Sequence, residues 1–249
     1  MSALLEVSEL RVSFGALVAV DDVSFTVPTG AIMGLIGPNG AGKTTTIDAL
    51  CGFLPAAVGS IRLGGVALDG LRAHQRARAG LGRTFQTVEL FDDLSVRENL
   101  LVAAIRPRWW SPFVDAVAPR RGTRGVNVDD AMGLMGLDAV ADARPTELSH
   151  GQRQLVGVAR ALATRPRLVL LDEPAAGLDP AETAVLGRLL ASLPAAGVSV
   201  LLVDHDMNLM LGVCDQLTVL DFGRVIASGP TAAVRTDPAV IAAYLGGGA

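Results

Sequence analysis

The sequence predicts an α/β protein, with a parallel-sheet core, an antiparallel β-subdomain and an inserted α-helical subdomain. Three observations carry that prediction. Short, wholly apolar or nearly apolar runs at Ala31–Ile36, Leu168–Leu171 and Val198–Val203 read as strands buried on both faces. Helical segments fall between them, and strands alternating with helices imply parallel pairing with right-handed crossovers. Each run ends in polar residues, namely the loop starting at Gly37, Asp172-Glu173 and Asp204-His205. Those ends are the carboxyl ends of the strands, where sheets of this class bind ligands.

Taken in order, residues 4–27 alternate: Leu5 and Val7, then Val23, Phe25 and Val27, suit half-buried antiparallel strands. After the first buried run comes Gly37-Pro38-Asn39-Gly40-Ala41-Gly42-Lys43-Thr44, which matches the phosphate-loop pattern G-x-x-x-x-G-K-[ST]. Lys43 is the sole lysine; the other 20 basic residues are arginine. A triphosphate is a dense anion, and backbone N–H groups solvate it only where the chain wraps closely, which favours glycine at 37, 40 and 42. Thr44–Cys51 reads as a helix whose N-terminus turns its positive dipole end to the phosphates. Lys43 is expected at the β- and γ-phosphates and the Thr44 hydroxyl on Mg²⁺. Pro38, Asn39, Ala41 and Thr45 complete the expected nucleotide-binding loop.

Gly59–Val66 reads as a further hairpin. Residues 87–147 differ in character. Ser95 and Glu98 form a capping box opening an apolar helix through Ile105. Residues 106–127, with Pro107, Pro112, Pro119, Trp109-Trp110 and several arginines, read as an irregular insertion. A solvated loop folded back on its tryptophans is favoured over one that touches a membrane or a partner protein. Residues 128–137 look helical again. Leu148-Ser149-His150-Gly151-Gln152 opens another helix, with Ser149 and Gln152 at capping-box spacing and Leu155, Ala159 and Leu162 on one face. The expected organisation is a single domain over 1–249. Residues 1–86 and 148–232 form the core with its β-subdomain, 87–147 the helical subdomain, and 233–249 a C-terminal helix and tail.

Composition sets the outer limits. Half of the residues are hydrophobic, enough for a sizeable core, and the net charge is −4 with no long basic block, which disfavours a nucleic-acid partner. No run of about 20 apolar residues predicts a spanning helix. The start lacks a basic n-region and does not read as a signal peptide. Cys51 and Cys214 lie in apolar stretches and read as packed thiols, which suits a reducing compartment. Asp172 at a strand end is expected in the Mg²⁺ shell, and Glu173 beside it is placed to activate a water. Asp179 and Glu182 suit the first turn of a helix. His74 has no motif around it and reads as a surface residue.

Gly37–Thr44, Gln86, Leu148–Gln152, Leu168–Pro174, Gly177-Leu178-Asp179 and His205 occur in the order found in ATP-binding-cassette (ABC) ATPases, and together they cover nearly the whole chain. The resemblance implies a P-loop NTPase (RecA-like) core that hydrolyses ATP with Mg²⁺. It implies that Gln86 links Mg²⁺ and the attacking water to the helical subdomain, that Glu173 positions that water, and that His205 contacts the γ-phosphate. Ser149, Gly151 and Gln152 would face the γ-phosphate on an opposite subunit, with Asp179 at the dimer seam. Phe14 stands where the family's adenine-stacking aromatic stands; the competing reading is a hydrophobe closing the β-subdomain. His150 departs from the family's usual second glycine. The ATPases of branched-chain amino acid importers often carry a ring there, and the stretches Arg83–Phe91, Leu94–Leu100, Glu173–Leu178, Val203–Met207 and Ile241–Gly246 resemble the larger of that importer's two ATPases.

That subfamily implies transmembrane permease partners and a second ABC ATPase, identical or a sister chain. It also implies a peripheral location on the cytoplasmic face of the inner membrane and no direct contact with cargo. Competing readings are cassettes for urea, amides or lipopolysaccharide-type export, and a soluble cassette such as an iron–sulfur assembly scaffold. Repair proteins with long coiled coils, two-cassette translation factors and inactive regulatory cassettes fit the motifs less well.

Overall fold

The computed structural model describes residues 2–56, 58–84, 89–105 and 127–245. Strands β1 (Ala3–Phe14) and β2 (Leu17–Pro28) lead into β3 (Ile32–Ile36) and helix α1 (Lys43–Cys51). Then come β4 (Val58–Leu63), β5 (Val66–Ala67), α2 (Ala73–Ala79) and β6 (Leu81–Arg83). Helices α3 (Val96–Ala104) and α4 (Val128–Leu134) precede α5 (His150–Ala163) and β7 (Leu168–Asp172). The chain continues through α6 (Pro180–Ser192), β8 (Ser199–Val203), α7 (Met207–Val213), β9 (Gln216–Asp221) and β10 (Arg224–Pro230). It closes with α8 (Thr231–Val234) and α9 (Pro238–Leu245).

Two sheets result. β2-β1-β4-β5 is antiparallel throughout. The larger sheet runs β10-β9-β3-β8-β7-β6, parallel except for the edge strand β10. The apolar runs are buried on both faces because alternate residues enter two different cores. Ile32 and Ile36, Val169 and Leu171, and Val200 and Leu202 join the core under α3 to α7. Met33 and Leu35, Leu168 and Leu170, and Leu201 and Val203 join the core against α1 and the small sheet. Each such Leu, Ile or Val contributes about 1.5–3 kcal/mol by leaving water. The central strands are therefore the rigid frame on which the loops at their carboxyl ends hang.

The structure departs from the sequence pattern in a few places. α4 stops at Leu134 because Gly136 turns left-handed (φ 64°) and the N–H of Leu137 returns to the carbonyl of Met132. β6 is only three residues long, and β9 and β10 alternate weakly, so none of the three stands out by pattern. Arg76 ties α2 to the end of α1. Its Nη1 donates to the carbonyls of Ala49 (2.7 Å) and Leu50 (2.8 Å), and its Nε to that of Leu71 (2.9 Å). A buried cation thus closes the negative end of α1, whose last carbonyls have no partner within the helix. Both cysteines are free and buried, as expected of packed thiols. His74 is exposed on α2. The insertion at 106–126 lies outside the described residues.

Arg76→Met is expected to lower folding stability by about 2–4 kcal/mol, because three carbonyl contacts, two of them buried, lose their Arg76 donor. A urea unfolding midpoint equal to that of the parent would rule out this role for Arg76.

Candidate functional site: a phosphate loop and its carboxylates

The site lies at the carboxyl ends of β3, β7 and β8. All three strands are buried along their full length, so their ends are fixed points. The phosphate loop leaves β3 at Gly37. A Cβ there would lie 2.1 Å from the Leu220 carbonyl oxygen of β9, so only glycine lets the two main chains pass. The loop is tied down by its backbone: Ala41 N–H donates to Pro38, and Gly223 N–H, in the β9–β10 turn, donates to Ala41. Helix α1 starts with Gly42 as its N-cap and has no side-chain cap. Helices α3, α5 and α6 all carry capping boxes. The first N–H groups of α1 thus face no side-chain acceptor of their own helix, which suits them to an anion.

Lys43 Nζ donates to the carbonyls of Gly37 (2.8 Å) and Pro38 (2.9 Å), which holds the ammonium inside the loop. Burial lowers its pKa, and the charges of Glu173 and Asp172 work against that shift. Thr44 is exposed at the first turn, beside Thr45. Asn39 and Gly40 are exposed at the loop's tip.

Asp172 ends β7 and is buried. Burial raises its pKa, and Arg83 opposes that. The Arg83 guanidinium bridges Asp48 of α1 (2.5 Å) and Asp172 (3.1 Å), and lies over the Phe53 ring at 5.4 Å. Thr84 Oγ1 accepts from the backbone N–H of Asp172. Arg83 and Asp48 are site residues that the motifs do not reveal; their signal is only that an arginine on a buried strand demands carboxylate partners.

Glu173 adopts a left-handed backbone (φ 49°), uncommon for a residue with a Cβ and shared among the described residues by Glu9, Asp22, Arg165 and Phe222. The hydrogen bond from its N–H to the Val203 carbonyl (2.7 Å) holds it there. His205 Nδ1 stands 3.9 Å from Glu173 Oε2 and 3.8 Å from Asp204 Oδ1. Asp204 is fully enclosed and accepts from Ala175 N–H and Asp206 N–H, fixing the turn that displays His205. Burial raises the Asp204 pKa and those two backbone bonds oppose it.

A cleft of about 720 Å³ runs from Thr44 and Asp172, past Arg83 and Gln154, to Arg160 and Ala103. Phe14 sits at the end of β1, half exposed and paired across the turn with Leu17. Ser149 caps α5: its Oγ accepts from Gln152 N–H, and Gln152 Oε1 accepts from Ser149 N–H. That leaves the Ser149 hydroxyl proton free to donate. Asp179 caps α6 in the same way with Glu182; Glu182 is a first-turn carboxylate as the sequence suggested, while Asp179 stands one position before the helix, as the N-cap itself. Gln86 lies outside the described residues. The structure thus gathers Lys43, Thr44, Asp172, Glu173 and His205 at one place, and sets Ser149–Gln152 and Asp179 side by side at another.

Among the described residues no three His, Cys, Asp or Glu side chains gather as a metal cage. Mg²⁺ needs no such cage, because it keeps several waters and takes one or two protein ligands along with phosphate oxygens. Thr44 and Asp172 line the same cleft, and the Thr44 hydroxyl with the Asp172 carboxylate could supply such a set.

Comparison with known proteins agrees with this geometry. The family profile described as "ABC transporter" matches residues 20–176, and one described as "Branched-chain amino acid ATP-binding cassette transporter" matches residues 224–249. The chain is 41% identical to the high-affinity branched-chain amino acid transport ATP-binding protein BraF of Pseudomonas aeruginosa, over 98% of both chains. It is 39% identical to the corresponding protein LivG of Escherichia coli, again over 98% of both. The lipopolysaccharide export ATP-binding protein LptB of Escherichia coli is 36% identical over the same shares. Among solved structures, the ADP conformation of MJ1267, an ATP-binding cassette of an ABC transporter, superposes with a TM-score of 0.85 at 30% identity. That superposition covers 99% of this chain and 100% of the other. With the phosphate loop, the strand-end carboxylates and a full-length likeness to such cassettes in agreement, the chain belongs to the ABC transporter family as an ATP-hydrolysing, ATP-binding cassette.

Proposed function

We propose that this cassette energises a membrane importer of branched-chain or related amino acids through ATP-driven, head-to-tail pairing with a second ABC ATPase. The observation that carries the reading is the convergence of Lys43, Asp172, Glu173 and His205 at adjoining strand ends. The cargo rests on the higher identity to BraF and LivG than to LptB. Nothing in the cassette is expected to touch cargo. Among the described residues no helix is long and apolar enough to cross a membrane. The cassette's proposed partners are transmembrane permease subunits. The cassette would sit peripherally at the cytoplasmic face through them.

In this reading the loop N–H groups and Lys43 hold the phosphates of ATP, and Phe14 stacks on adenine. Thr44, Asp172 and Gln86 would hold Mg²⁺, which supplies charge neutralisation at the β- and γ-phosphates. Arg83 keeps the Asp172 carboxylate aimed at that position while helping to hold it ionised against burial. Glu173 accepts a hydrogen bond from the attacking water and draws its proton as the bond to phosphorus forms. His205, on its fixed turn, orients the γ-phosphate. One subunit leaves that phosphate half open. Ser149 and the N–H groups of Gly151 and Gln152 from the second subunit would close it, with Asp179 at the seam. ATP then bridges the pair, and hydrolysis weakens the bridge. The helical subdomain, linked through Gln86, would pass that movement to the permease.

Glu173→Gln is expected to bind ATP with near-parental affinity, to lose about 100-fold or more in turnover, and to accumulate as an ATP-dependent dimer on size exclusion. Normal steady-state hydrolysis by this variant would refute the role given to Glu173. Affinity capture of the tagged chain from native membranes in mild detergent is expected to recover two multi-span permeases and a second cassette. Capture of soluble partners alone would favour the scaffold class instead.

A further inference from the structure

His150 stands where most of the family has a glycine, and the structure gives its ring a partner. Nε2 lies 3.1 Å from the Ala176 carbonyl oxygen, in the turn between β7 and α6. A carbonyl has no proton to give, so Nε2 carries the hydrogen and donates. Gln154 Nε2, one helical turn on, approaches the same oxygen at 3.4 Å. The ring also covers the next residue: a Cβ on Gly177 would lie 2.9 Å from His150 Nε2. Gly177 is left-handed (φ 75°) and has no side chain to pack, and the turn is closed by the Leu178 N–H donating to the Ala175 carbonyl (3.1 Å). Beside this contact, a Cβ on Gly151 would lie 2.6 Å from Glu182 Oε1, so the start of α5 rests on the first turn of α6.

The same turn leads back to the catalytic carboxylate. Ala176 N–H donates to the Glu173 carbonyl, while the Ala176 carbonyl accepts from His150. A continuous path therefore runs from Glu173 through Ala176 and the His150 ring to Ser149 and Gly151. On the head-to-tail reading above, on which this inference rests, Glu173 serves this subunit's nucleotide and Ser149–Gly151 serve the partner's. We propose that His150 is a positioning residue that locks the Ala176–Asp179 turn to the N-terminus of α5. The two surfaces offered to the opposite subunit, and the carboxylate acting on this subunit's ATP, thereby move as one body. A glycine at 150 has no ring to make this link. Orientation is where such a link acts: a misplacement of about 1 Å costs on the order of 100-fold in rate.

The test is a set of variants in the assembled transporter, read by kcat, KM for ATP and the urea unfolding midpoint. His150→Ala is expected to lower kcat about 5- to 20-fold, with KM within about twofold and the unfolding midpoint unchanged. His150→Gln, whose amide N–H can reach Ala176, is expected to restore at least about half of the parental kcat, and His150→Leu is expected to behave as His150→Ala. Gly177→Ala should impair kcat in the parent and impair it less in the His150→Ala background, because the ring it meets is gone. Parental kcat in His150→Ala, equal losses in His150→Gln and His150→Ala, additive effects of the pair, or a loss matched by a lowered unfolding midpoint would each overturn the proposal. If Glu173→Gln still abolishes turnover and traps a dimer, such a result removes the His150 role alone. If it does neither, the head-to-tail reading itself has failed.

Discussion

Solvating a polyphosphate with backbone N–H groups forbids side chains where the anion must approach, and this constraint governs the rest of the molecule. A loop stripped of side chains cannot hold its own shape. Its neighbours hold it instead through main-chain contacts, with Leu220 pressed against Gly37 and Gly223 bonded to Ala41. Those neighbours belong to strands whose alternate residues feed two separate apolar cores. The core's stability is thus delivered to the loop as rigidity at the strand ends. Even the C-terminal helix contributes: burial raises the pKa of Tyr244 near the end of α9, and a hydrogen bond with the Gly37 backbone opposes that rise.

Charge around the loop follows from the same demand. Two carboxylates, Asp172 and Asp204, are buried, where the ionised form is disfavoured. One is held by Arg83 and the other by two backbone N–H groups. Glu173 is less enclosed, and its backbone is held in the left-handed region by the bond to the Val203 carbonyl. In the proposed mechanism the Glu173 carboxylate handles a proton and the Asp172 carboxylate keeps its charge. The helix ends divide similarly. α5 and α6 satisfy their first N–H groups through capping boxes, while α1 leaves its own to the ligand.

Much of this was legible in the sequence because the constraint writes itself in residue types. Three buried runs ending in polar groups gave the sheet, and Gly37–Thr44 gave the loop. Ser95, Ser149 and Asp179 announced helix starts that the structure has. What the pattern hid lay in partners distant along the chain. Arg83 could be seen, but not that it joins Asp48, 35 positions earlier, to Asp172, 89 positions later. β6, β9 and β10 owe their existence to pairing with stronger neighbours rather than to any alternation of their own. His150 read as a departure from a motif; only the fold shows that its ring reaches Ala176.

Arginine replaces lysine everywhere in this chain except at position 43. The chain therefore displays one ε-amine, and it lies inside the phosphate loop. Burial shifts that amine toward its uncharged, nucleophilic form relative to an ordinary surface lysine. Amine-directed reagents thus find a single side-chain target, and polyphosphate bound over it stands in their way. The extent of acylation at Lys43 becomes an internal gauge of nucleotide occupancy, readable in a mixture of proteins without any engineered label.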